Sequence, residues 1–307
     1  MDVGTRQVPV AGGALTVHLL AQGAPGAGTV LALHSISSNG LAWRPLAATL
    51  AGRVSVVAPD LRGRAESCGL RSTGLADHVR DVVAVIEHLG LDRPVLAGHS
   101  MGAFVAALAA ASRPDLVGGV LLLDGGLSYP SPRTFDVDEV LHGVIGPAMD
   151  RLTMTFAGAE AYLDHWRRHP ALGPALTRPN GEALAAYLEH DLTGPPGAMR
   201  SSSSLECVRA DWTDMMSDPA TLAAVHTLQC PAVLAWAARG PLGQEPGLYS
   251  PGRLAEAHLP ADVRTLSLDS DHYGALLDPD SLGALADALL TLVAGPRSGH
   301  GIHTPDE

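Results

Sequence analysis

Short apolar runs alternate with longer segments whose apolar residues recur every three to four positions, both before residue 126 and after residue 226. The short runs predict strands, and the periodic segments predict helices. Strands are predicted at residues 7–10, 15–20, 30–34, 54–58, 94–97, 117–123, 232–235 and 263–268, the first two as a hairpin around Gly12-Gly13. Helices are predicted at residues 43–50, 76–89, 101–111, 251–258 and 280–293.

This alternation predicts an α/β fold with a mostly parallel sheet and helices on both faces. The strands are continuous apolar runs, which are typical of strands buried on both sides. Between residues 127 and 226 the alternation of strands and helices stops. This stretch has proline-rich segments and helical patterns at 160–168 and 182–192, with no predicted strand. We therefore predict a core of residues 1–126 and 227–295, a helical cap of residues 127–226, and a disordered tail of residues 296–307 whose His300 and His303 carry no function.

Composition and net charge limit the classes of function that this chain can have. The chain has 307 residues, of which 46% are hydrophobic and only 4% aromatic, so one large core of Ala, Val and Leu is expected. A net charge of −12 disfavours nucleic-acid and acidic-membrane binding. The three cysteines are too few and too scattered for a disulfide framework or a zinc site, and neither a signal peptide nor a membrane span is predicted. We expect a cytoplasmic protein that acts on a small molecule without metal or cofactor. The sequence is compatible with a homodimer but does not give the oligomeric state.

The strongest local signal is Gly98-His99-Ser100-Met101-Gly102, which matches the G-x-S-x-G nucleophile turn. The match is specific because a predicted strand precedes it and a predicted helix follows it. A sharp strand-to-helix turn leaves no room for Cβ atoms on either side of the serine, and glycine stands at both flanks. Ser100 is therefore the predicted nucleophile.

A serine hydroxyl needs a base, and the chain offers 14 histidines. Position in the fold selects His272, which follows the last predicted strand at the carboxyl edge of the sheet, where ligand and catalytic groups gather. His99 lies beside Ser100, but its side chain is expected to point elsewhere.

The acid that should orient this base is less clearly marked. Asp124 ends the strand before the insert and is followed by two glycines, which favours it. Glu245 is the alternative acid, because it is the only carboxylate in residues 236–245. Asp271 adjoins His272 and is badly placed to reach its Nδ1.

The tetrahedral intermediate needs an oxyanion hole. One donor should be the N–H of Met101, and the second should come from residues 34–40, with Ile36 favoured and Ser35 as the alternative. Ser37 and Ser38 are equally interpretable as helix caps or substrate contacts. The candidate substrate-binding residues are Ser37, Trp43, Tyr162, Trp166 and Tyr187, although helix packing explains the cap aromatics equally well.

Together these motifs resemble the α/β-hydrolase superfamily from about Gln7 to Val293. The resemblance is carried by His34-Ser35-Ile36 with Trp43 behind it, by Ala58-Pro59-Asp60-Leu61-Arg62-Gly63-Arg64, by the Ser100 turn and by the late His272. It implies an eight-stranded, mostly parallel sheet with a cap inserted after the sixth core strand.

In that superfamily the acid more often follows the next strand, where this chain has no aspartate, but some members take it from the end of the sixth strand, here Asp124. Arg239-Gly240-Pro241-Leu242 and Asp271-His272-Tyr273 also look like segments of capped, esterase-like actinobacterial proteins.

The nucleophile decides among the chemistries of this superfamily. Its haloalkane dehalogenases and epoxide hydrolases need a carboxylate at the turn, so Ser100 indicates acyl chemistry instead. We expect an esterase or lactonase for a small to medium, largely apolar substrate. The alternatives on the same scaffold are a C–C hydrolase, a thioesterase, or a cyclase or lyase. A non-catalytic ligand-binding receptor is the alternative of a different class.

Overall fold

A computed structural model of the chain describes residues 4–128, 136–178 and 181–295. Its strands are β1 (Gly4–Val10), β2 (Gly13–Ala21), β3 (Thr29–Leu33), β4 (Ser55–Pro59), β5 (Val95–His99), β6 (Gly119–Leu123), β7 (Leu192–Thr193), β8 (Arg200–Ser201), β9 (Ala232–Arg239) and β10 (Val263–Asp271). Eight of them form one sheet in the order β1-β2-β4-β3-β5-β6-β9-β10, and β7 pairs with β8 separately. β2 is antiparallel to β1 and to β4, and the remaining neighbours are parallel.

The described residues form twelve α-helices. They are α1 (Arg44–Leu50), α2 (Leu75–Leu89), α3 (Met101–Ser112), α4 (Val137–Ile145), α5 (Pro147–Asp150), α6 (Ala159–Arg167), α7 (Leu172–Ala175), α8 (Gly181–Glu189), α9 (Leu205–Ser217), α10 (Pro219–Ala224), α11 (Pro251–Glu256) and α12 (Pro279–Ala294). Four of them cover the sheet: α1 and α12 pack together on one face, and α2 and α3 pack together on the other.

The continuous apolar strands supply two separate cores. Successive strand residues point to opposite faces, so Leu31 and Leu33 of β3 join the core beneath α2 and α3. Val30 and Ala32 of the same strand join the core beneath α1 and α12. The prediction of a mostly parallel, eight-stranded α/β sheet buried on both faces is confirmed.

Two details of the strand prediction are wrong. β9 continues to Arg239 and β10 to Asp271, several residues beyond the apolar runs, because the two strands stay paired there while burial becomes mixed. β7 and β8 lie in a stretch where no strand was predicted. They form a tight pair around Gly194 and Gly197, whose φ angles of 101° and 88° suit glycine, so the turn rather than a hydrophobic pattern sets them.

The insertion between β6 and β9 is largely helical, as expected. α9 and α10, its last two helices, pack against α3 of the core, and α9 also contacts α2. The division at residues 127 and 226 stays a prediction. The proline-rich segment around residues 129–132 and the tail at 296–307 lie outside the described residues. Within the described ranges no helix combines the length and hydropathy that crossing a bilayer requires.

Gly102→Ala should destabilise the fold, because a Cβ on Gly102 would lie 2.1 Å from the carbonyl oxygen of Leu33. We expect the free energy of unfolding to fall by about 2 kcal/mol or more, as for other overpacked sites. Gly283→Ala is the matched control, since Gly283 is also helical and a Cβ there meets nothing within 4 Å. Urea denaturation compares the two, and equal stabilities would contradict the expectation.

Candidate active site

Ser100 occupies a strained turn between β5 and α3. Its backbone angles are φ 54° and ψ −118°, a combination that side chains rarely adopt. A Cβ on Gly98 would lie 2.1 Å from the carbonyl oxygen of Gly102, so the flanking glycines let the strand and helix meet this closely. The turn places the Ser100 side chain at the N-terminus of α3, where the N–H of Met101 begins the helix.

Asp124 and His272 meet at the same edge of the sheet. His272 Nδ1 donates a hydrogen bond to Asp124 Oδ2 over 2.6 Å, and both side chains are buried. Asp124 Oδ1 also accepts from the N–H of Ala237 at 3.1 Å, which fixes the carboxylate. Since Nδ1 carries the proton in this bond, His272 Nε2 is left with its lone pair.

The strand ends bring Ser100 and Asp124 together. The N–H of Ser100 donates to the Leu123 carbonyl at 2.9 Å, and the N–H of Asp124 donates to the Ala235 carbonyl at 2.7 Å. Asp124 has a φ of 45°, and a Cβ on Gly125 would lie 2.3 Å from the carbonyl oxygen of Ser100. In the described part of the chain no hydrogen bond joins Ser100 to His272, and such bonds are often long before substrate binds.

Neither competing acid reaches the base. Glu245 is exposed on the segment after β9, and no ion pair or hydrogen bond between it and His272 occurs among the described residues. Asp271 Oδ1 instead accepts from the N–H groups of Tyr273 and Gly274, at 3.0 and 2.8 Å. The structure therefore pairs His272 with Asp124.

His99 supports the loop that carries His272. Its Nε2 donates to the His272 carbonyl at 3.0 Å, and the two rings lie 4.4 Å apart. Burial, together with the neighbouring His272, lowers the pKa of His99 well below its usual value, so the ring stays neutral. His99 does not line the cavity that holds Ser100, in agreement with the prediction that its side chain points elsewhere.

The loop after β3 supplies the second candidate oxyanion donor. Ile36 lines the same cavity as Ser100, whereas Ser35 lines a smaller neighbouring one of about 40 Å³. His34 holds this loop, because its Nδ1 donates to the Ser35 carbonyl at 2.7 Å while its Nε2 accepts from the N–H of Leu61 at 2.9 Å. Burial lowers the pKa of His34 to about 3, which keeps this tautomer neutral.

Arg64, which the sequence marks only as part of the motif at residues 58–64, contacts the candidate site. Its Nε donates to the Ile36 carbonyl at 2.9 Å, and its Nη2 lies 3.8 Å from the sulfur of Met101. The fully buried guanidinium pairs with Asp211 of α9, 2.7 Å away. Arg64 therefore joins both candidate oxyanion residues to the inserted region, a contact for which the sequence holds no local signal.

Asp211 also bonds His78 Nε2 at 3.1 Å and the Ser72 hydroxyl at 2.5 Å. Burial alone would raise the pKa of this carboxyl, but the adjacent His78 and Arg64 lower it below its usual range. Asp211 is therefore ionised in the folded protein.

A cavity of about 360 Å³ opens over Ser100 and His272. Its wall is mostly apolar and comes from α4, α9 and the segment after β9. The lining residues include Ile36, Phe104, Leu127, Val140, Val144, Ile145, Trp212, Met215, Met216, Pro241, Leu248, Tyr249 and Arg253.

The predicted wall residues lie elsewhere. Trp43 belongs to the core beneath α1 and α12. Tyr162 and Trp166 are buried around Arg151, whose Cζ lies 5.0 Å from the centre of the Trp166 ring. Tyr187 lines the smaller cavity instead.

The two serines of the loop after β3 also differ from expectation. The Ser37 carbonyl accepts from Arg151 Nη2, and the Ser38 hydroxyl bonds the hydroxyl of Tyr187 at 2.8 Å. Asn39, rather than either serine, caps the short helical turn that follows, by accepting from the N–H of Leu41. None of the five predicted substrate contacts lines the Ser100 cavity, which corrects that expectation.

The sheet order, the strained serine and the paired His272 and Asp124 define an α/β hydrolase, and comparisons with known proteins agree. A sequence model of the α/β hydrolase fold matches residues 28–143, and the strand order of the sheet shows that the chain has that fold. It is 28% identical over 287 residues to lipase LipV of Mycobacterium tuberculosis. This alignment covers 92% of this chain and 99% of the lipase.

A second relative is a haloalkane dehalogenase of Bradyrhizobium diazoefficiens, which is 27% identical over 310 residues. This alignment covers 99% of this chain and 89% of the dehalogenase. The crystal structure of E-2-(acetamidomethylene)succinate hydrolase superposes with a TM-score of 0.71 over 93% of this chain and 98% of that one, at 23% identity. This last likeness shows a shared fold.

Asp211→Asn should destabilise the protein, because it leaves Arg64 buried without its counter-charge. We expect the free energy of unfolding at pH 7 to fall by about 3 kcal/mol. Since the pKa of Asp211 is depressed in the folded state, its contribution is present above the unfolded pKa near about 4 and is lost as pH falls below it. The difference between variant and wild type should therefore shrink in acid.

Glu206→Gln is the control, since Glu206 lies on the same helix in an exposed ion pair with Arg71. Urea unfolding at several pH values gives the comparison. A loss for Asp211→Asn no larger than that for Glu206→Gln would contradict a stabilising role for the buried pair.

Proposed function

We propose that this chain is a serine hydrolase that cleaves an ester or lactone of a small to medium, largely apolar substrate through an acyl-enzyme. One observation carries the proposal. Ser100, held in a strained turn, shares a cavity with His272, whose Nδ1 lies 2.6 Å from the buried Asp124 carboxylate. The full-length similarity to a lipase supports ester chemistry.

In the proposed reaction the Ser100 oxygen attacks the carbonyl carbon of the substrate, and its proton passes to His272 Nε2. Asp124 holds the imidazole in the tautomer that accepts this proton and stabilises the imidazolium that forms. His272 then protonates the leaving alcohol. Water attacks the acyl-enzyme by the same route, with His272 again as general base, and the acid product leaves.

Negative charge develops on the carbonyl oxygen during both steps. The N–H groups of Met101 and Ile36 are the proposed donors to that oxygen, with Ser35 as the alternative to Ile36. The N-terminus of α3 adds its partial positive charge at the same place. Arg64 positions this hole, because its bond to the Ile36 carbonyl fixes the peptide group next to the proposed donor.

The substrate class follows from the cavity wall. About 360 Å³ with a mostly apolar lining fits an acyl chain or compact ring of moderate size. We also propose residues 127–226 as the cap, since α4 and α9 within that range contribute much of the wall.

A fluorophosphonate should label the protein once, because an activated serine displaces its leaving group and keeps the phosphonyl group. Intact mass spectrometry measures the adduct, and Ser100→Ala of verified fold should remain unlabelled. A screen of esters, lactones and thioesters of graded acyl length would then identify the substrate. A folded wild type that takes up no label would contradict the acyl-enzyme proposal.

Asp124→Asn should lower kcat by about 10⁴-fold, because an amide in place of the carboxylate spoils the tautomer and cannot stabilise the imidazolium. Glu245→Gln, which changes an exposed carboxylate in the same way, should leave kcat close to wild type. Steady-state kinetics on the best ester from the screen provides the measurement. The reverse pattern would assign the acid to Glu245.

A further inference from the structure

A second cluster of titratable side chains lies outside the Ser100 cavity. His18 of β2, Asp60 directly after β4 and His190 directly after α8 bring their ligating atoms within 4.8 Å of one another. His190 Nε2 lies 3.0 Å from Asp60 Oδ2, and His18 Nε2 lies 3.2 Å from the same oxygen. Three different parts of the chain therefore aim one atom each at a common point.

We infer that His18, Asp60 and His190 form a binding site for a divalent transition metal ion, with Zn²⁺ as the best-fitting ion. Two imidazoles and one carboxylate are ligands that zinc accepts, and hard ions such as Ca²⁺ and Mg²⁺ prefer all-oxygen sites. Ligand bonds of about 2.1 Å in a tetrahedron put neighbouring ligand atoms roughly 3.4 Å apart. The two nitrogen–oxygen separations of 3.0 and 3.2 Å are close to that spacing.

An unpartnered nitrogen independently indicates a ligand. The His18 side chain is 7% exposed, yet its Nε2 makes no hydrogen bond of acceptable geometry to any described residue. Buried polar atoms are rarely left this way, because losing water without a replacement partner costs free energy. A metal ion between His18 and Asp60 would accept the lone pair of that nitrogen.

The surroundings hold this cluster in place. Asp60 Oδ1 accepts from the N–H of Gly40 at 2.8 Å, and Oδ2, which faces the two histidines, also accepts from the N–H of Glu66 at 3.3 Å. Gly40 also makes room for the His18 ring, since a Cβ there would lie 2.8 Å from His18 Cδ2. The carboxylate is oriented by a hydrogen bond outside the proposed ligand set, as is common at metal sites.

The ion would tie the inserted region to the sheet. His18 lies in β2 and Asp60 directly follows the neighbouring strand β4, whereas His190 belongs to the insertion. Tyr187, three residues before His190, bonds the loop after β3 through Ser38 and Asn39. A bound ion would therefore fix α8 against the loop that carries Ile36, and its role would be structural rather than catalytic.

Zinc binding to the metal-stripped 307-residue chain tests the inference directly. Competition with a chromophoric chelator should give one equivalent of Zn²⁺ bound with micromolar or tighter affinity. Zn²⁺ should also raise the midpoint of thermal unfolding, because it binds only the folded site. Co²⁺ in place of Zn²⁺ should show the visible absorption of a four-coordinate ion.

His190→Ala should weaken zinc binding by more than about tenfold and should abolish the thermal shift. Removing an outer-shell partner of a bound metal already lowers its affinity by about tenfold, and His190 would be a direct ligand. His190 is partly exposed, so this variant is expected to fold, which circular dichroism checks. His142→Ala is the matched control, because His142 is also a histidine of the insertion beside an aspartate, Asp150, but at an exposed position. It should bind zinc like wild type.

Two results would overturn the inference. One is wild-type protein that binds no Zn²⁺ at micromolar concentrations. The other is equal binding by wild type, His190→Ala and His142→Ala, which would assign the bound zinc to other histidines of the chain. Because none of these readouts depends on turnover, the outcome is independent of the proposed hydrolase activity.

Discussion

The close approach of two strained turns at the carboxyl edge of the sheet governs the geometry of the site. Ser100 and Asp124 both hold left-handed backbone angles, with φ of 54° and 45°. Their turns touch where a Cβ on Gly125 would come within 2.3 Å of the Ser100 carbonyl oxygen. Each such residue costs about 1–3 kcal/mol, and the buried parallel strands on either side hold both in place. The nucleophile and the acid thus share one rigid support.

Sequence patterns predicted the core of the fold because its determinants are local. Continuous apolar runs mark strands buried on both faces, and the glycines around Ser100 answer a steric demand of the turn itself. Asp124 could be favoured for the same reason, since a strand end and two glycines fix its position. The ends of β9 and β10 were missed because pairing along the edge of the sheet continues after the apolar runs stop.

The cavity wall could not be predicted, because it depends on contacts between residues far apart in sequence. Tyr162 and Trp166 both contact Arg151, a buried cation that also pairs with Asp191, 40 residues away. The residues that do line the cavity, such as Val144 and Met215, have no distinguishing pattern in the chain. Helical periodicity shows which face of a helix is apolar, but it does not show whether that face meets the core or an open space.

The two contacts of Arg64 limit how the inserted region can be exchanged between related proteins. Its guanidinium holds the Ile36 carbonyl on one side and Asp211 of the insertion on the other. A chimera that exchanged the insertion for that of a relative would leave this cation buried without its carboxylate unless position 64 were changed as well. Altering the specificity of this scaffold by grafting therefore requires that the arginine and its distant aspartate be transferred as one unit.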